Sequence, residues 1–126
     1  MNWFLIIAGG FAGLATVGHF AIGSGSFLRP TLEASFDEVP KKVMHCLFHY
    51  VSAYLILSTI FLLAIGLGFK LGGGTSLLVK FIALNYAAFA IAQAILALAS
   101  NIKNALFKLF QWMFWVLIAL FAWLGA

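Results

Sequence analysis

The sequence predicts an all-α integral membrane protein: a bundle of four transmembrane helices, with a short interfacial helix in the first connection. Three observations lead there. Of 126 residues, 65% are hydrophobic and 8% charged, where a soluble domain carries roughly a quarter charged residues. Mean hydropathy is +1.14. Four stretches reach the ~20 apolar residues that a helix needs to cross hydrocarbon. This composition excludes a soluble enzyme, a nucleic-acid-binding module and a disordered tail. The formal net charge of +4 does not alter that, because the basic residues are scattered and build no basic face. The single cysteine, Cys46, excludes an intrachain disulfide framework.

The spans are residues 3–22, 43–67, 77–99 and 105–124, one membrane domain over residues 1–126 with no room for a soluble lobe. The first span has no basic residue ahead of it and no clear small-x-small site after it. It is expected to be a retained anchor and not a cleaved signal. The first connection holds all three acids, Glu33, Asp37 and Glu38. It opens with Gly23-Ser24-Gly25-Ser26, read as flexible, and turns at Arg29-Pro30. Leu28, Leu32 and Phe36 then follow at i,i+4 spacing, which suits a short helix lying in the interface. Asp37 reads as the N-cap of the second span, with Pro40 tolerated in the first turn. Gly72-Gly73-Gly74 lacks the Lys-Ser/Thr of a phosphate loop and reads as a turn. The third connection is short, so the last two helices are expected to be antiparallel neighbours.

Arg29, Lys41, Lys42, Lys103 and Lys108 flank the first and third connections, against Lys70 and Lys80 on the other side. This bias places the first and third connections in the cytoplasm and both termini outside. Small residues mark the contact faces, since lipid supplies no hydrophobic force between helices. Ala8, Ala12 and Ala15 form one stripe, with the GxxxG pair Gly9/Gly13 beside it. Ala83, Ala87, Ala90, Ala94 and Ala97 form another. These stripes exceed the needs of one short bundle, so a homo-oligomer or a place in a larger membrane complex is expected.

Polar side chains inside a span are costly and face the bundle interior. At 1.5 Å per residue, His19, His45, His49, Gln93 and Gln111 fall at similar depth from the side of the first and third connections. Ser52 continues the His45/His49 stripe, and Tyr86 stands seven residues before Gln93. His45 and His49 at i,i+4 can reach one ion, with His19 as third ligand and Asp37, Glu38, Cys46 or water as fourth. Imidazole suits zinc, copper, iron or nickel. Two histidines on facing helices can instead hold haem. The residues between His45 and His49 lack the glutamate of a helical metalloprotease, and nothing resembles a nucleophile elbow. The functional expectation is a histidine-lined site for a transition metal or haem, with Gln93, Gln111, Ser52 and Tyr86 lining it. Such a site serves metal or proton movement or electron transfer. The alternative expectation is a non-catalytic accessory or structural subunit whose histidines only hydrogen-bond between helices.

Overall fold

Asn2 opens the first helix. Its side-chain oxygen accepts the Leu5 N–H at 3.3 Å, the N-cap role that small polar residues serve. In the computed structural model, which describes residues 1–126, α1 (Trp3–Gly18) continues into a π-helical segment, His19–Leu28, and then into α2 (Arg29–Glu33). There follow α3 (Glu38–Gly66), a single 3-10 turn (Gly72–Gly74), α4 (Thr75–Ala99), α5 (Ala105–Lys108) and α6 (Trp112–Leu124). There is no strand.

The expectation of a flexible linker at Gly23-Ser24-Gly25-Ser26 is corrected: these residues lie inside the π-helical segment. The Arg29 N–H reaches back five residues to the Ser24 carbonyl. The Ser24 and Thr31 hydroxyls donate to the Phe20 and Phe27 carbonyls. A wide turn also suits Pro30, which has no N–H to give and whose ring strikes the carbonyl four residues earlier in a regular α-helix. The short helix expected in the first connection exists as α2, but it is continuous with α1, and Phe36 lies outside it. Asp37 stands at the N-cap position of α3 without a capping hydrogen bond from its side chain.

Three helical stretches, Trp3–Glu33, Glu38–Gly66 and Gly72–Ala99, have 31, 29 and 28 residues. Each is long and apolar enough to cross a membrane. The fourth is different. A continuous helix was expected over residues 105–124, but the chain leaves helical geometry between Lys108 and Trp112. The physical reason is competition for backbone carbonyls. Met113 N–H donates to Phe110, three residues back, at 3.1 Å. The Leu109 carbonyl, which a regular helix would offer to Met113, instead accepts from the Gln93 side chain at 3.0 Å. Alone, the 13 residues of α6 reach about 20 Å, short of the ~30 Å hydrocarbon layer.

In the packing, α1 lies between α3 and α6, and α6 also lies against α4. Side chains close the remaining side, where Ser58 on α3 meets Tyr86 on α4 at 2.6 Å. The turn from α3 to α4 uses Gly68 at φ 107° and Gly72 at φ 80°, a left-handed backbone that glycine adopts without strain. Where α1 meets α3 the backbones approach closely. A Cβ on Gly9 would fall 2.7 Å from Leu63 Cδ2, and one on Gly66 would fall 2.9 Å from the Ile6 nitrogen. Ala8, Ala12 and Ala15 are buried alongside, as are Ala83, Ala90 and Ala97 on α4. Much of the two small-residue stripes is therefore used in packing within one chain, while Ala87 and Ala94 are only half-buried.

Asn2 ties one end together. Its N–H donates to the Gly66 carbonyl at 2.7 Å, and its Nδ2 donates to the Gly125 carbonyl at 2.8 Å. Both termini thus meet the end of α3. Trp3 and Trp123 are exposed there. Large apolar side chains such as Leu14, Val17, Leu47, Ile56, Leu84 and Ile95 face outward along the long helices, while Ser52, Ser58 and Tyr86 are buried. Water-soluble monomers rarely expose apolar surface on this scale.

Candidate functional site

The register of α1 against α3 brings polar groups together at intervals along their contact. Thr16 meets Thr59 at 3.4 Å. One turn further, His19 Nε2 lies 2.9 Å from Ser52 Oγ and 3.2 Å from the Phe48 carbonyl. The His19 ring also stacks on Phe48, with centroids 4.0 Å apart. These contacts define the tautomer. The Ser52 hydroxyl donates to the Phe48 carbonyl at 2.9 Å, so neither oxygen has a hydrogen left for the ring. Nε2 must carry the ring hydrogen, which makes Nδ1 of the neutral imidazole an acceptor. That Nδ1 makes no hydrogen bond inside the chain. It lies 3.8 Å from where a Gly23 Cβ would stand.

On α4, Gln93 is a hub. Its Nε2 donates to the Leu109 carbonyl and to Gln111 Oε1, and its Oε1 accepts from Trp115 Nε1 at 2.8 Å. Tyr86 stacks on Trp115 with centroids 5.7 Å apart and shares a hydrogen bond with Ser58. No side-chain nitrogen or oxygen is left buried without a partner.

Between the second half of α1, the π-helical segment and the α5–α6 break lies a cavity of about 540 Å³, within the usual range of small-molecule sites. Ten of its fourteen lining residues are hydrophobic. His19 and Gln111, both singled out by sequence, line the same cavity beside Gly18, Gly23, Phe114 and Trp115. Leu14, Val17, Ile22, Phe27 and Phe110 form its exposed rim, so the opening is apolar.

The polar layer expected from sequence divides into separate groups. His19 pairs with Ser52, Gln93 with Gln111 and Trp115, and Tyr86 with Ser58. His45 and His49 pair with each other, Nε2 to Nε2, at 3.1 Å. Cys46 is exposed and free. Asp37 is exposed, and Glu38 pairs with Lys41 at 3.0 Å. No group of three or more His, Cys, Asp or Glu side chains is placed to hold one metal ion. Phe48 and Trp115 escaped the sequence reading. Trp115 carried a usable signal, four residues after Gln111 and so on its face, whereas Phe48 resembles any lipid-facing aromatic. The chain matches no protein-family model, no curated protein and no solved structure.

Proposed function

We propose that this is a membrane protein crossing the bilayer four times, and that its cavity binds the chain of one amphiphilic, lipid-like molecule bearing a hydroxyl group. Residues 105–124 make the fourth crossing as a broken helix. Non-helical backbone is tolerated at membrane depth when other protein groups satisfy it, and Gln93 supplies that satisfaction at Leu109. The orientation follows from the basic residues, with Arg29, Lys41, Lys42, Lys103 and Lys108 on the cytoplasmic side.

One observation carries the binding reading: the acceptor nitrogen of His19 has no partner within the chain and belongs to a residue lining a largely apolar cavity. An occupant entering past Leu14, Val17 and Phe27 comes from lipid, not from water. Its hydrocarbon meets Phe114 and Trp115, and its hydroxyl hydrogen meets His19 Nδ1. Such an exchange favours a hydroxyl over an ether of the same shape, because only the hydroxyl donates.

A photoreactive sixteen-carbon alcohol and its methyl ether test this in detergent-purified protein. The alcohol is expected to crosslink to α6 near Phe114 in preference to the ether, and His19→Phe to abolish that preference. Gly18 lines the cavity and a Cβ there meets nothing within 4 Å, so Gly18→Phe is expected to occupy the cavity and abolish crosslinking. Equal labelling of wild type and Gly18→Phe rejects the reading.

A further inference from the structure

We propose that His45 and His49 form half of a divalent transition-metal site, completed by the same two residues of a second copy of this chain. The two Nε2 atoms are 3.1 Å apart, and the ring centroids 4.9 Å apart with a 42° tilt. Two imidazole nitrogens bound to one tetrahedral zinc, each at 2.0–2.1 Å, stand about 3.3 Å from each other. The pair therefore needs almost no change of separation, only reorientation of the rings and a shift of the shared hydrogen from Nε2 to Nδ1 of the donor ring, so that both Nε2 lone pairs face the ion.

The chain cannot complete the site alone. A closed zinc site needs four ligands, and no third His, Cys, Asp or Glu joins the pair. Cys46 projects about 100° around the helix from His45. Glu38 is held by Lys41. Two ligands must come from outside the chain, and the place of the pair says from where. His45 is half-buried and His49 exposed, about one turn beyond Lys42. In a membrane, copies share one orientation, so a two-fold axis along the membrane normal presents an identical pair at the same depth. That step draws on membrane crossing but not on the cavity. Below the pair, Ala53, Ile56 and Ile60 continue the exposed face, and a small residue at Ala53 lets two α3 helices approach. Two pairs supply four imidazoles, a donor set suited to zinc, copper or nickel.

Zinc chloride titration of detergent-purified protein, with light scattering and metal analysis, tests the assignment. The expected result is one zinc per two chains, a doubling of protein mass on metal addition, and reversal by a chelator. His45→Ala or His49→Ala should weaken zinc binding more than about 100-fold and abolish the mass change, while His19→Ala and Cys46→Ser should leave both intact. One zinc per single chain without a mass change overturns the proposal. So does a dimer indifferent to zinc and to both histidine substitutions, or an absence of binding.

Discussion

Gln93 and Gln111 are joined by a hydrogen bond from Nε2 to Oε1 of 2.9 Å, across the contact of α4 with the start of α6. The same amide nitrogen takes the Leu109 carbonyl that helix continuation would have used. A single side chain on α4 thus holds open the break that separates α5 from α6, and it shapes the wall of the cavity that Gln111 lines.

Gln93→Leu removes three hydrogen bonds at once, to Leu109, Gln111 and Trp115. Side-chain hydrogen bonds in membrane helices average ~0.6 kcal/mol, so the loss is expected to be about 2 kcal/mol. Denaturation in mixed micelles measures it, and an unchanged midpoint contradicts the hub role. The freed indole of Trp115 should also shift its fluorescence.

Gly66→Ala and Gly10→Ala should move stability in different directions. A Cβ on Gly66 would lie 2.9 Å from the Ile6 nitrogen and 3.2 Å from the Leu5 carbonyl carbon, backbone atoms that cannot swing aside. The expected cost is about 1–3 kcal/mol. A Cβ on Gly10 meets nothing within 4 Å, so the substitution should be neutral or stabilising by up to about 1 kcal/mol through helix propensity. The same micelle assay compares them. Equal effects would show that α1 and α3 are not in this close register.

Orientation is read by labelling single cysteines placed in a Cys46→Ser background. Ser35 lies between α2 and α3, and Gly73 lies in the turn before α4; both are exposed. A membrane-impermeant maleimide added to intact cells should label Gly73→Cys and spare Ser35→Cys. The opposite pattern reverses the assignment, and labelling of both from one side denies that α3 crosses.

Local composition was enough to locate the helices and little else. The run of apolar residues sets the three long helices within a few residues of where hydropathy put them, apart from the extension of the first helix through Gly23 to Glu33. The faces of α1 and α4 were legible too, because small residues at Ala8, Ala12, Ala83 and Ala90 can only be favourable where another helix comes close. Periodicity also picked out His19, Ser52, Gln93, Gln111 and Tyr86 as inward-facing polar residues, and each has its partner in the folded chain. It picked out His45 and His49 in the same way, but His45 is only half-buried and His49 is exposed.

Which residue meets which was decided by tertiary packing. Depth counting brought His19, His45 and His49 to one level, but depth says nothing of rotation about the helix axis. The register of α1 on α3 gives His19 to Ser52 and Phe48 and leaves His45 and His49 to each other. The break after Lys108 was equally invisible, because residues 105–124 contain no glycine or proline to mark it. Its cause is the Gln93 amide, sixteen residues from Leu109 along the chain. A hydropathy sum over neighbours cannot register a hydrogen bond made by a residue on another helix.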